Sequence, residues 1–128
     1  MTERLNISTG SPFETVAGYS RAVRMGDFVH VAGTTGYDYA TMTMPEDVTE
    51  QARNCMETIS KALADAGASL EDVVRARYYI TDQAYGDAVF RLVGSYFSKI
   101  RPAATMIVCQ LLNDDMKVEI EVTAQLAS

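Results

Sequence analysis

The sequence predicts an α+β domain: a ββαβαββ chain that lays two helices on one face of a sheet. Three observations carry that expectation. Two extended runs flank Gly26-Asp27, two stretches repeat apolar residues at steps of three and four, and Met116 to Gln125 alternates apolar with polar residues. A length of 128 residues suits one domain, 1–128, with segment 1–16 assigned no element. With 48% hydrophobic and 22% charged residues the composition is that of an ordinary globular protein, which excludes a disordered chain and a fibrous repeat.

The first hairpin spans Tyr19 to Gly33. Tyr19, Arg21 and Val23 alternate with Ser20, Ala22 and Arg24, and Phe28 to Ala32 returns after Gly26, which supplies the positive φ a tight turn needs. Thr34 to Met44 has no period and reads as a loop, either a lid or a plain surface connection. A helix is expected over Glu46 to Ala66, because Val48, Ala52, Cys55, Ile59, Leu63 and Ala66 share one face. Thr43-Met44-Pro45-Glu46 resembles its capping box, and Gly67 suits the position after its last turn.

Val73 to Ile80 is β-branched and aromatic, a strand by propensity. Asp82 then caps a second helix with an apolar stripe of Tyr85, Val89, Leu92 and Tyr96, flanked by Phe97 and Ile100. Arg101-Pro102 ends it, since a residue before proline avoids the α region. Thr105 to Leu112 is expected as a strand, Asn113-Asp114-Asp115 as a turn and Met116 to Gln125 as the last strand. Both helices cover one sheet face, and the other carries Arg75, Arg77, Glu119 and Glu121, open to water or covered by an identical subunit.

Acidic residues outnumber basic ones 17 to 11, for a net charge of −6, a field that repels phosphate backbones. Cys55 and Cys109 are too few for a thiolate zinc site or a disulfide framework, and the lone His30 removes two-histidine metal motifs. No metal site is expected. Met1 to Asn6 has no apolar run behind a basic start, and no apolar run is long enough to span a bilayer, so the expected setting is a reducing cytoplasm without membrane contact.

Several segments carry a family resemblance in their order and spacing: Gly18-Tyr19-Ser20, Phe28 to Gly33, Ala66 to Val74, Tyr79 to Asp82, Arg101-Pro102-Ala103 and Val118 to Val122. From about Ala17 to Ala124 the chain resembles the RidA/YjgF family of reactive intermediate deaminases, whose older label is L-PSP endoribonuclease. The resemblance implies a chorismate-mutase-like fold, a homotrimer, and clefts between subunits that hold small carboxylates or carbonyl compounds. It implies hydrolysis of enamines and imines to 2-keto acids and ammonia without a cofactor. An arginine in a Pro-Ala-Arg-Ser stretch clamps the substrate carboxylate in that chemistry, and a glutamate in the last strand positions water.

Here the stretch is Pro102-Ala103-Ala104-Thr105, so Ala104 stands where the arginine belongs. Losing such a charge-assisted clamp forfeits roughly 1.5–3 kcal/mol of binding. Ala32 replaces a serine of the cleft, and Phe90 an asparagine of the second helix. Tyr19, Gly33, Thr105 and Glu119 are retained, and the chain resembles the subgroup without the arginine.

Glu119 is the candidate catalytic residue; Tyr19, Gly33, Phe90, Arg101, Ala104 and Thr105 are candidate substrate-binding residues. Each has a plainer reading. Glu119 and Glu121 can be a solvated face neutralised by Arg75 and Arg77, Tyr19 a half-buried strand tyrosine, and Gly33 a close approach between strands. Arg101, Arg75 or Arg77 can replace the clamp. His30 is expected to be structural, Cys55 core, and Cys109 a strand thiol with no activating neighbour along the chain.

Three functions follow. The first is a homotrimer binding a small organic ligand between subunits, with deaminase activity absent or weak. The second is a cofactor-independent hydrolase of an imine, enamine or related carbonyl compound that uses Glu119 and a different clamp. The third is ribonuclease activity, disfavoured by the acidic charge and resting on a patch of Arg21, Arg24, Arg75 and Arg77.

Overall fold

The structure, a computed structural model, describes residues 3–127. Nine principal elements follow in order: β1 (Arg4–Ile7), α1 (Pro12–Ala17), β2 (Ala22–Met25), β3 (Phe28–Thr35), α2 (Val48–Asp65), β4 (Val73–Ile80), α3 (Gly86–Phe97), β5 (Ala103–Val108) and β6 (Val118–Gln125). From β2 onward they reproduce the expected ββαβαββ order. The strand β1 and the short helix α1 lie in segment 1–16, to which the sequence assigned nothing; residues 1 and 2 of that segment lie outside the described residues. Ser11 caps α1, its hydroxyl accepting from Phe13 N, with Pro12 in the first turn. No helix among the described residues is long and apolar enough to cross a membrane.

The strands form one six-stranded sheet ordered β1-β2-β3-β6-β4-β5, in which only β4 and β5 pair in parallel. The last strand therefore sits in the middle, between β3 and β4. Its alternation explains the layering. Val118, Ile120, Val122 and Ala124 are buried against the helices, with Ile59 and Leu63 of α2 and Val89 of α3 in the same core. Each of these valine, isoleucine and leucine side chains contributes about 1.5–3 kcal/mol on burial. Glu119, Glu121 and Thr123 face the other way and are only half-buried.

Several boundaries differ from the expectation: β2 starts at Ala22, β3 runs on to Thr35 into the expected loop, and β6 starts at Val118. The capping residue of α2 is Asp47, whose carboxylate accepts from Glu50 N, so the helix starts at Val48 and the Thr43-to-Glu46 box is not used. Asp82 caps a single 3-10 turn, Gln83–Tyr85, and α3 begins only at Gly86. The strand expected over Thr105 to Leu112 is Ala103–Val108. It pairs with β4 from Arg75 to Ile80, and the pairing ends with Cys109, whose N–H donates to the Ile80 carbonyl (2.9 Å), where β4 itself ends. Gly26 (φ +62°) and Gly67 (φ +82°) adopt the left-handed conformation expected of them.

Candidate functional site

The register between β3 and β6 shifts between Val31 and Thr34: Val31 faces Val122, and Thr34 faces Ile120. Three steps on β3 thus span two on β6. This bulge brings Gly33 against Glu119. A Cβ on Gly33 would meet the Glu119 carboxylate, so the plain reading of Gly33 as a close approach and its reading as a cleft residue refer to the same contact. Glu119 is half-buried. Burial pushes its carboxyl above the usual carboxylate range, repulsion from Glu121 adds to that, and Arg21 opposes it.

Arg21 stands behind this pair. Its Nη1 donates to the Gly33 carbonyl (2.7 Å) and the Thr34 hydroxyl (3.0 Å), and its Nη2 to the Tyr19 hydroxyl (3.1 Å). The guanidinium carbon lies 5.5 Å from the Tyr19 ring centroid and 5.1 Å from that of Tyr39. The sequence placed Arg21 in a surface patch with Arg24, Arg75 and Arg77; the structure corrects this, since Arg21 is 1% exposed. No signal in the sequence separates it from the other arginines, because its burial depends on Tyr39 arriving from a loop and on the bulge at Gly33. Cys55 belongs to the core as expected: its thiol donates to Thr34 O (3.1 Å), and burial pushes its pKa far up.

Glu121 takes the plainer role. Tyr79 donates to its carboxylate, and Arg77 lies 4.0 Å away across the strands. Among the described residues Glu119 has no such ion pair. His30 stacks on Phe28, with ring centroids 6.1 Å apart.

The remaining candidates lie elsewhere. Register places Ala104 in a row with Ala76 and Val122, both buried against the helices. Ala104 therefore points to the helix side from the free edge of the sheet, whereas Glu119 points to the open side. Phe90 is 53% exposed on α3, and Arg101 is exposed at the end of that helix with φ +57°. Thr105 is in register with Arg77 and lies on the open face. Within one chain, Gly33 packs on Glu119 and Arg21 links the Gly33 carbonyl to the Tyr19 hydroxyl, while Ala104 lies on the edge strand β5, Arg101 just before it, and Phe90 is exposed on α3. Among the described residues Arg75, Arg77 and Arg101 form no ion pair with Glu119, and Arg77 lies against Glu121 instead.

The loop after β3 is tied down. Asn54 donates to the Gly36 carbonyl (3.0 Å), Gln51 to that of Pro45 (2.8 Å), and Asp38 bridges to Thr43. A cavity of about 480 Å³ opens between this loop, the end of β1 and α2, with Arg21, Tyr37 and Tyr39 in its wall. Among the described residues no group of three or more His, Cys, Asp or Glu is arranged to hold a metal ion.

Comparison with known proteins points one way. The family model described as endoribonuclease L-PSP matches residues 9–126. A solved structure from Mycobacterium tuberculosis, a member of the highly conserved YjgF/YER057c/UK114 family, superposes with a TM-score of 0.89 at 42% identity, covering 97% of this chain and all of that one. RidA from an Antarctic Psychrobacter gives a TM-score of 0.80 at 30% identity over 84% of this chain and 88% of its own. A RutC family protein of Pyrococcus abyssi is 32% identical over 110 residues, 85% of this chain and 87% of that protein.

Proposed function

Because this chain belongs to the endoribonuclease L-PSP family, the YjgF/RidA proteins, we propose that it binds a small carbonyl or imine compound in clefts between the subunits of a homotrimer. The observation that carries this is the split of the candidate residues between two sheet faces. Gly33 packs on Glu119, with Tyr19 tied to the Gly33 carbonyl through Arg21, while Ala104 lies on the free edge strand β5 and points to the other face, with Arg101 just before that strand; in this reading each group is half of a pocket. A second copy that docks its β5 edge against the open face completes both halves at once.

Ala104 has no donor for a carboxylate, and it stands where the resemblance puts the clamping arginine. Deamination of 2-imino and enamino acids is therefore absent or weak, and the preferred ligand lacks the carboxylate. The test compares pyruvamide with pyruvate by calorimetry: tighter binding of the neutral compound supports the reading, and preference for pyruvate overturns it. An assay with 2-aminoacrylate-derived imines is its companion, and turnover at the rate of arginine-bearing relatives contradicts it.

A second reading is favoured by the upward-shifted, half-buried Glu119 carboxyl packed on Gly33. A carboxylate with raised basicity takes a proton from water as the oxygen adds to a C=N carbon and returns it to the nitrogen; the hydroxyl proton of the resulting carbinolamine then passes to the nitrogen, which departs as ammonia and leaves a ketone. Glu119→Gln abolishes turnover on any such substrate if this holds, and unchanged rates remove Glu119 from the mechanism. Nucleic acid is outside the proposal, since the net charge is −6 and Arg21 is withdrawn from the surface. We place the protein, as a single domain with two free thiols, in a reducing cytoplasm.

A further inference from the structure

Arg21 heads the fully buried side chains by volume. A guanidinium stays charged in a folded protein and can only donate hydrogen bonds. Burying one is costly without a paired charge, and a hydrophobic residue of similar volume is often at least as stabilising. Arg21 has no carboxylate in hydrogen-bond contact among the described residues, and its Nε finds no partner there. An unpaired buried donor costs about 1–3 kcal/mol. What this arrangement achieves is local. Its hydrogen bonds go to the carbonyl of Gly33, the residue on which Glu119 packs, to the adjacent Thr34 hydroxyl and to the Tyr19 hydroxyl.

The bond to Tyr19 has a direction. Arginine offers no acceptor, so the Tyr19 oxygen accepts and the phenol's own proton points away from Arg21. Tyr19 is 37% exposed. We propose that Arg21 is a positioning residue of the cleft: it turns the Tyr19 hydroxyl into a donor aimed at an acceptor atom of the ligand, and it pins Gly33 beneath the Glu119 carboxylate. This rests on the cleft reading above and narrows it. The ligand presents an uncharged acceptor, a carbonyl oxygen or an imine nitrogen, to Tyr19, with Glu119 as acceptor for water or an N–H on the other side. A donor held by a buried cation is strengthened through the chain of bonds.

The same charge acts on Glu119. The groups around that carboxyl are Glu121 on its own strand, Tyr79 opposite it on β4 with Arg77 two residues before, Cys55 from α2, and Arg21; Arg77 faces Glu121, 4.0 Å away, and Arg21 is the cation that acts on Glu119.

The experiment uses the 128-residue chain with Arg21→Gln, Arg21→Lys, Tyr19→Phe and the double variant Arg21→Gln/Tyr19→Phe. Two quantities are read: the dissociation constant for pyruvamide, and the ligand-free titration midpoint of the Glu119 carboxyl by carbon-detected NMR. Tyr19→Phe and Arg21→Gln should each weaken pyruvamide by about tenfold, the size of one lost hydrogen bond. The double variant should be no weaker than either single one. Arg21→Gln should raise the Glu119 midpoint, and Arg21→Lys should restore it. Additive losses in the double variant, or an unmoved midpoint in folded Arg21→Gln, overturn the proposal. If Arg21→Gln does not fold, Arg21→Lys decides: a preserved midpoint with weakened pyruvamide supports the role, and unchanged affinity overturns it. A wild-type chain that ignores pyruvamide contradicts the ligand reading instead, while the midpoint, read without ligand, still judges Arg21.

Discussion

A β-carbon built on Gly33 would stand 2.1 Å from Oε2 of Glu119, so the carboxylate rests on the glycine's own α-carbon. No larger residue at position 33 leaves Glu119 where it is. The bulge in β3 and the absence of a side chain act together: one turns the backbone toward β6, the other lets it close.

Gly33→Ala follows directly from this contact. The atom it displaces is the far end of a flexible side chain, so the cost to stability is small, about 1 kcal/mol at the low end of overpacking. The cost to the site is larger, because Glu119 must swing away. Thermal unfolding should move by only a few degrees while pyruvamide binding falls by at least about tenfold. Equal affinity in this variant would show that the Glu119 position does not matter to the ligand.

Glu119 also sets a pH dependence. Its folded carboxyl is shifted upward, chiefly by burial, so it contributes stability below its unfolded pKa and loses that contribution as pH rises through the folded one. Glu119→Gln removes the ionisation. The variant should match the wild type near about pH 3.5 and melt above it at neutral pH, with the gap opening through and above the carboxylate range. A gap of the opposite sign, or one independent of pH, would mean that Glu119 is stabilised as an anion.

Much of this architecture is legible in the residues. The alternation from Val118 to Gln125 gives both the strand and its two faces, and the stripe from Val48 to Leu63 gives α2 and its buried side. Gly33 and Glu119 emerge as separate candidates without their contact. That contact depends on β6 entering between β3 and β4 and on a one-residue register shift, and neither leaves a periodic trace. Arg21 is hidden for a related reason. It alternates with Tyr19 and Val23 like any strand residue, and only the third dimension encloses it. β1 is missed because its four residues have no neighbour in sequence with which to form a hairpin; it pairs with β2 across the α1 segment.

Ala104→Arg tests the absent clamp from the other direction. Ala104 is exposed at a free edge, so the substitution should change stability by no more than about 0.5 kcal/mol. A bidentate guanidinium there regains roughly 1.5–3 kcal/mol for a carboxylate, which is about 10- to 150-fold in pyruvate affinity. The variant should reverse the preference between pyruvamide and pyruvate. No gain for pyruvate would place residue 104 outside the cleft.

The two cysteines should separate cleanly toward a thiol reagent. Cys55 is fully buried with its thiol pushed well above the usual range, first by burial and then by the charge of Glu119. It should stay unmodified in the native chain at pH 8, while half-buried Cys109 is the thiol that labels. Unfolding in guanidinium should release Cys55. Rapid native labelling of Cys55 would indicate that α2 and β3 part readily at Thr34.

Native mass spectrometry of the wild-type chain with pyruvamide addresses the shared pocket most directly. The expected spectrum is a trimer that takes up as many as three ligands, together with monomer that takes up none. Monomer carrying pyruvamide on its own would contradict the account, because one chain would then hold a complete site without the Ala104 edge of a second.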